Sequence, residues 1–235
     1  MSLMSRLALA ALLFLPAGMA TAQSAPQAAD CSRATQPVDR AICTTPDLRR
    51  LDQSIATAYR RLLADLDRNG AAALRDDQRI FINARNRAAA GRTGTELITE
   101  LRGWLGERAK TLNSLLANPN DGLVGHWVNI NGEIDVVQWA SGVLTFNANA
   151  VDPLGARWVC DADGDGEWTG ENEGTLEVKT GEDTSRWSLV ISRKGDTLQV
   201  QERHVSGDRS IPYCGFNGSL SGTYFRVDPL TLERN

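Results

Sequence analysis

Carboxylates recur at every second position in one short segment of the second half of the sequence. Asp161, Asp163 and Asp165 alternate with small residues, and Gly166 occupies the sixth position counted from Asp161. Oxygen ligands at positions one, three and five, with glycine at six, are typical of a calcium-binding loop. Position twelve is Asn172 instead of the usual bidentate glutamate, and no flanking helices are predicted. Two interpretations therefore stay open, a calcium site and a solvated acidic hairpin loop.

Cysteine is the next residue type whose number and spacing predict chemistry. Cys31 and Cys43 lie in the first half of the chain, and Cys160 and Cys214 lie in the second. Four cysteines allow three pairings, of which pairing within each half is the most economical. In an exported protein an even count favours disulfides, and no C-x-x-C or nearby histidine provides the usual zinc spacing. We predict the bridges Cys31–Cys43 and Cys160–Cys214.

Histidine-dependent catalysis has few ways to be assembled in this chain. Only His126 and His204 are present, and both lie at the ends of predicted strands. The Gly-x-Ser-x-Gly motif of serine hydrolases does not occur. A glycosidase needs two carboxylates at a defined separation, which sequence spacing does not reveal. We therefore predict a protein that is not an enzyme and keep a hydrolase as an alternative.

Asp52 and Arg85 carry opposite charges at the margins of two predicted apolar helix faces. This placement predicts an ion pair between the helices. We favour a structural role in which the pair orients the helices over a role in anchoring a recognition surface.

The first 22 residues have the pattern of a secretory signal peptide. Arg6 supplies a positive charge, Leu7 to Leu15 is apolar, and Ala20-Thr21-Ala22 fits the cleavage pattern before Gln23. The apolar segment is too short for a comfortable membrane span. We expect the mature protein to be periplasmic or secreted, without a membrane span.

The composition excludes one class of partner and favours another. The chain has 235 residues, is 42% hydrophobic and 23% charged, and carries a formal net charge of -4, typical of a folded soluble protein. A nucleic-acid-binding domain would be strongly basic, so no nucleic-acid partner is expected. Residues 23–116 contain 15 basic and 11 acidic side chains, whereas residues 117–235 contain nine and 18. The acidic half would attract a cationic partner over about one Debye length, ~10 Å.

The first half of the mature sequence has the periodicity of amphipathic helices. Pro46 suits the first turn of one helix, and Asn69-Gly70 suggests its end. A second helix is predicted from Ala71, and a third after Thr93, where Glu96 completes a capping-box pattern. The apolar residues of the first helix recur at steps of three and four: Leu48, Leu51, Ile55, Tyr59, Leu62 and Leu66. Together these segments predict a three-helix module.

The pattern changes from helix to strand after a cluster of Asn, Pro and Gly at residues 117–122. Asn131-Gly132 predicts a two-residue hairpin turn, and later turn signals have the spacing of short antiparallel strands. We predict about eight strands in an antiparallel barrel or sandwich. Five of the six tryptophans lie here, most of them predicted in the core: Trp127, Trp139, Trp158, Trp168 and Trp187.

The predicted fold class is therefore α+β with two domains. The predicted boundaries are a signal peptide at 1–22, a helical domain at 23–116, a linker at 117–122 and an antiparallel β domain at 123–235.

A series of residues in the helical half also matches the pattern of a known family. The series is Asp30-Cys31, Thr35, Val38-Asp39, Ala41-Ile42-Cys43, Pro46, Leu48, Leu51-Asp52, Tyr59, Gln78, Phe81 and Arg85. In order and spacing it resembles the N-terminal domain of LprI-like lysozyme inhibitors over residues 30–112. The resemblance implies an exported, disulfide-bearing helical domain associated with inhibition of lysozyme. The β half lies outside it.

Two features depart from the family pattern. The family usually has a cysteine shortly after the arginine that matches Arg85, with a partner before the last helix. Ala88 occupies the first of these places, and no cysteine lies between Cys43 and Cys160. Phe81 stands where the family usually has tryptophan, a change compatible with a core position. The resemblance therefore implies the same helical fold with one disulfide fewer.

Together, these features predict an exported non-catalytic binding protein that inhibits lysozyme or a related cell-wall hydrolase. Its acidic half would approach a cationic enzyme and block the cleft. One alternative is an envelope structural module that binds a small ligand or calcium without inhibiting lysozyme, and the other is an envelope hydrolase. No cofactor is expected apart from calcium at the acidic segment.

Overall fold

Within the part of the chain that the structure describes, four helices come first and eight strands follow. The structure is a computed structural model, and it describes residues 28–119, 122–170, 172–178, 187–204 and 211–228. The predicted signal peptide lies outside these residues. Among the described helices, none is both long enough and apolar enough to cross a membrane. The predicted α+β class with two domains is confirmed.

The N-terminal domain contains one helix more than predicted. The helices are α1 (Pro37–Thr44), α2 (Pro46–Asp65), α3 (Arg68–Ala88) and α4 (Gly94–Ser114). The additional helix is α1, whose eight residues are too few for a clear apolar period. The disulfide Cys31–Cys43 joins α1 to the segment before it.

The predicted boundary between the first two long helices is wrong. Asn69 and Gly70 lie inside the first turn of α3, and α2 ends earlier, at Asp65. The reason is the residue Asp67, whose carboxylate accepts a hydrogen bond from Gly70 N at 2.7 Å and caps α3. At Thr93, which precedes α4, no side-chain capping bond forms.

The eight strands form a closed barrel in which each strand pairs antiparallel with the next and β8 pairs with β1. The barrel is therefore the correct form of the two that were predicted. The strands are β1 (Gly125–Val128), β2 (Gly132–Gln138), β3 (Leu144–Val151), β4 (Val159–Gly170), β5 (Glu173–Val178), β6 (Trp187–Lys194), β7 (Thr197–His204) and β8 (Gly222–Arg226).

Alternate residues of the strands fill the barrel interior. Trp127 is fully buried there, and Trp187 is almost so. Trp158 and Trp168 are half-buried against the same core, in line with the prediction. Trp139 is not part of this core, because it lies in the β2–β3 turn with 60% of its surface exposed.

The helical domain packs against the outer side of the barrel where β1 meets β8. Val128 and Phe225 lie opposite each other in that strand pair and are buried among the helical core residues. Val227 continues the same cluster and forms a β-bridge with Leu115 at the end of α4. The two domains therefore share one apolar core across their boundary.

Polar contacts also hold the predicted linker and the helical domain against the barrel. Arg193 donates hydrogen bonds to Pro119 O at 3.0 Å and to Gly122 O at 3.1 Å. Asp67 and Asp196 exchange two bonds, in which each backbone N–H donates to the other carboxylate at 2.7 and 3.2 Å. Gly195 has φ +60°, and a Cβ there would lie 1.6 Å from Asp67 Oδ2. This contact between the domains therefore requires glycine at position 195.

Candidate partner-binding surface

The acidic segment at Asp161, Asp163 and Asp165 forms the middle of strand β4. The segment is therefore a strand and not the loop of the calcium-loop interpretation, and side chains at alternate positions of a strand point in one direction in a row. Calcium binding at these aspartates stays a prediction. No group of three or more potential ligands from His, Cys, Asp and Glu occurs within the described ranges. The acidic hairpin-loop interpretation is wrong, because the segment is paired with β3 along its whole length and with β5 from Gly164 onward.

The glycines of this segment have a different role from the one that a calcium loop would give them. Gly164 faces the barrel interior, and a Cβ there would lie 1.8 Å from Glu177 O and 2.6 Å from Phe146 Cε1. At Gly166 a Cβ would lie 2.1 Å from Thr175 O. The small residues between the aspartates therefore allow β5 to approach β4 closely.

The outward side of β2, β3, β4 and β5 forms one strongly acidic surface, which we call the acidic face. Cross-strand pairs place Asn147 beside Asp163 and Asp165 beside Glu177. None of the described outward positions on these four strands is lysine or arginine. The outward carboxylates of the acidic face are Glu133, Asp135, Asp161, Asp163, Asp165, Glu167, Glu173 and Glu177.

His126 borders the acidic face on strand β1. Its Nδ1 lies 2.6 Å from Asp135 Oδ1, and its Nε2 lies 3.4 Å from Glu133 Oε2. Both ring nitrogens therefore face carboxylates, whereas a serine-hydrolase arrangement would place one of them beside a serine. The side chain of His204 lies outside the described structure.

Exposed apolar side chains border the acidic face at both ends of the strands. At the β2–β3 turn, Val137, Val143 and Trp139 are exposed, and Trp139 Nε1 donates to Thr145 Oγ1 at 3.0 Å. At the opposite end, Val151 and Val159 are paired across β3 and β4 and are 41% and 57% exposed. These two groups, which we call the rims, therefore place exposed apolar area at both edges of the acidic face.

Phe216 is the most exposed large apolar side chain of the described chain, at 90%. It lies in the β7–β8 connection, beside the rim formed by Val151 and Val159, because Gly215 N donates to Val159 O at 2.8 Å. The sequence prediction missed this residue, since a single aromatic in a turn leaves no periodic signal. The combination of Gly-Phe-Asn-Gly with an adjacent disulfide cysteine could have drawn attention to it.

Both predicted disulfides are present. Cys31–Cys43 has a Cα–Cα distance of 5.5 Å, and Cys160–Cys214 has one of 4.0 Å. Cys160 is fully buried in the barrel core, and Cys214 immediately precedes the Gly215–Gly218 turn. The second bridge therefore attaches this turn to strand β4.

Asp52 and Arg85 face the same small cavity of about 80 Å³, but they are not joined by an ion pair. Asp52 accepts a hydrogen bond from Ala29 N at 2.7 Å, and Arg85 donates to Asn86 Oδ1 at 2.9 and 3.1 Å. Burial raises the pKa of Asp52, while the bond from Ala29 and the charge of Arg85 act in the opposite direction. Burial also lowers the pKa of Arg85. The predicted direct pair is replaced by these separate contacts.

Comparison with known proteins relates the first half of this structure to one family. The family model described as lysozyme inhibitor LprI matches residues 29–141. Neither the curated proteins nor the solved structures gave a match. The family match confirms the resemblance seen in the N-terminal sequence and extends it through the linker to β1 and β2. Strand β4 and the turn at Phe216 lie beyond the matched residues.

Proposed function

We propose that this protein, whose residues 29–141 match the lysozyme inhibitor LprI family, is a non-catalytic inhibitor of lysozyme or of a related cationic cell-wall hydrolase. The family match is the observation that carries the proposal. Two disulfides are consistent with a periplasmic or secreted location, because such bridges persist in oxidising compartments.

The acidic face supports a mechanism based on charge. A surface with eight outward carboxylates and no lysine or arginine at its described outward positions attracts a cationic enzyme and orients it during approach. The bound protein would then cover the substrate cleft and exclude the glycan. Such inhibition requires no covalent step.

The shared core supports the same mechanism. Val128 and Phe225 of the barrel are buried among helical residues, so the barrel and the helical domain present their surfaces in one fixed arrangement. A preorganised surface loses little conformational entropy on binding, which favours tight association.

Muramidase inhibition by the purified mature chain, residues 23–235, tests this proposal. A cationic lysozyme is incubated with increasing amounts of the chain at low ionic strength, and the lysis of cell-wall suspensions is followed. We expect residual activity to fall towards zero in a saturable manner. Full activity at a large excess of the chain would contradict the proposal.

A second assay separates inhibition from hydrolysis. The mature chain alone is incubated with cell-wall fragments, and the release of reducing sugars is measured. We expect no release above the buffer blank. Sustained release that survives His126→Ala would contradict a non-catalytic function and would favour a hydrolase that uses carboxylates.

A further inference from the structure

The β7–β8 connection contains a tight turn with Phe216 at its apex. Gly218 N donates to Gly215 O at 2.8 Å and closes the turn, and Asn217 has a left-handed φ of 63°. A Cβ at Gly218 would lie 2.9 Å from Gly215 O and 3.1 Å from Cys160 Sγ, so the turn is closed against the disulfide. The phenyl ring is left projecting into solvent.

The turn is anchored to strand β4 on the side that precedes Phe216. The disulfide joins Cys214 to the buried Cys160, and Gly215 N bonds to Val159 O. Tyr213, the residue before Cys214, accepts a hydrogen bond at its carbonyl oxygen from Asp161 N at 2.9 Å. Three successive attachments therefore connect this side of the turn to the barrel wall.

The side that follows Phe216 is anchored by a single carboxylate. Glu202 of strand β7 accepts hydrogen bonds from Leu220 N at 2.9 Å, from Ser221 Oγ at 3.0 Å and from Ser219 Oγ. It also accepts one from Tyr213 OH at 3.1 Å. The desolvated phenol and the nearby Glu202 charge raise the pKa of Tyr213, so Tyr213 stays a donor at neutral pH. Both ends of the turn are therefore fixed.

The side chain of Phe216 contributes little to the stability of its own fold. At 90% exposure Phe216 buries almost no area, yet a disulfide and the Glu202 hydrogen bonds hold the backbone on either side of it. Rigid presentation lowers the entropic cost of binding, and exposed aromatic anchors that fill a partner's pocket often dominate interface energies.

The surroundings of the turn determine which partner fits. Val159 and Val151 extend the apolar area beside Phe216, and Asp161 begins the acidic row of β4 immediately next to Val159. An apolar tip bordered by carboxylates is complementary to an apolar recess bordered by basic side chains. The partner of this turn must therefore carry an apolar recess with basic side chains at its edge, and a cationic hydrolase is the partner that the proposed function provides.

We propose that the Gly215–Gly218 turn is the inhibitory element and that Phe216 enters the substrate cleft of the cationic hydrolase while the acidic face contacts its basic surface. This inference rests on the proposed function and adds the position at which the partner docks. It assigns binding to the barrel and not to the helical domain that the family model covers.

The test compares Phe216→Ala with Trp139→Ala in the full mature chain. Both substitutions remove an exposed aromatic from the barrel, but Trp139 lies at the opposite end of β2 and β3. Dissociation constants for a cationic lysozyme are measured by calorimetry, together with inhibition of wall lysis. We expect Phe216→Ala to weaken binding by at least about tenfold and Trp139→Ala to change it by less than about threefold.

A second variant tests the anchoring of the turn. Glu202→Gln keeps the size of the side chain but replaces one accepting oxygen with a donating amide. We expect the bound complex to dissociate faster while the melting temperature falls by only a few degrees. The separate variant Glu202→Asp keeps the carboxylate on a shorter side chain. We expect it to retain more of the affinity for the lysozyme than Glu202→Gln does.

The outcomes distinguish the two proposals. If the unaltered chain inhibits lysozyme and Phe216→Ala inhibits equally well, the docking position is wrong and the proposed function stands. If Trp139→Ala loses more affinity than Phe216→Ala, the opposite rim is the docking position. If the unaltered chain neither binds nor inhibits, both proposals fail.

Discussion

Asp77 Oδ2 lies 2.7 Å from Arg108 Nη1, and both side chains are more than nine-tenths buried between α3 and α4. The other oxygen of Asp77 accepts a hydrogen bond from Ile130 N in the β1–β2 turn at 2.7 Å. Arg108 Nε donates to Gln78 Oε1 at 2.8 Å. One carboxylate thus joins two helices to the barrel. This network makes the contact between the domains specific as well as apolar.

The variant Asp77→Asn is expected to destabilise the whole chain by about 3–5 kcal/mol, because it leaves the buried charge of Arg108 without a counter-charge. The neighbouring variant Asp76→Asn is the matched control. Asp76 pairs with Arg79 at the surface, where both side chains are mostly exposed, and its loss should cost less than about 1 kcal/mol. Urea unfolding followed by circular dichroism measures both values, and equal losses would contradict the role assigned to Asp77.

The same experiment tests whether the domains unfold together. Helix content reports on the N-terminal domain, and tryptophan fluorescence reports mainly on the barrel, which contains five of the six tryptophans. The shared core predicts that the two transitions of the unaltered chain coincide. Two separate transitions would show that the domains are stable independently of each other.

Asp152 should contribute to stability in a pH-dependent manner. Hydrogen bonds from Arg157, helped by the backbone N–H groups of Leu154 and Arg157, lower its pKa to about 2. Because the folded pKa lies below the unfolded value of 3.8, the stabilisation is complete above that value and is lost as the pH falls towards 2. The melting temperature of Asp152→Asn should therefore be several degrees lower at pH 6, and the difference from the unaltered chain should shrink below pH 3.8 and disappear below pH 2. A difference that does not change with pH would contradict this assignment.

Two glycine substitutions should have opposite effects. At Gly164 a Cβ would clash with Glu177 O, so Gly164→Ala should destabilise the barrel by roughly 1–3 kcal/mol, as overpacking does. At Gly103 on helix α4 a Cβ would meet no atom within 4 Å apart from the adjacent residues and the backbone of its own helix, so Gly103→Ala should stabilise the chain by about 0.5–1 kcal/mol. Urea unfolding checks both. Tolerance of alanine at Gly164 would contradict the close approach of β4 and β5.

Removing charge from the acidic face should slow association with a cationic lysozyme. Two triple variants change the net charge equally, one on the acidic face and one on exposed carboxylates of the helical domain. They are Asp161→Asn, Glu167→Gln and Glu177→Gln for the face, and Asp65→Asn, Asp76→Asn and Glu107→Gln for the control. Stopped-flow kinetics at low salt should show an association rate reduced about tenfold for the face variant and by less for the control. The difference should shrink at high salt, and equal rates at low salt would contradict steering by this face.

The elements that the sequence predicted are those with a strong period or an even pairing. The apolar residues of α2, which recur every three or four positions, predicted the helical domain, and the hairpin signal at Asn131-Gly132 predicted the β domain. The presence of two cysteines in each half of the chain predicted both disulfides correctly. The family pattern predicted the relationship that the match over residues 29–141 confirms. These signals are local, and each domain satisfies them separately.

The sequence did not predict the features that depend on contacts between distant segments. Val128 and Phe225 look like ordinary strand residues, and only the barrel closure brings them together under the helices. Alternating aspartates suit a calcium loop and the outer side of a strand equally well, because both repeat at two residues. Asp52 and Arg85 face the same cavity without forming an ion pair, because Asp52 accepts a hydrogen bond from Ala29 N and Arg85 donates to Asn86.

Binding of the intact mature chain to a cationic lysozyme tests the central proposal most directly. The intact chain is needed because the two domains share a core, so separated halves would expose Val128 and Phe225 to water. Calorimetric titration at low ionic strength should give a saturable isotherm whose affinity falls as salt is added, in parallel with the loss of inhibition. No heat of binding and full muramidase activity at excess chain would contradict it.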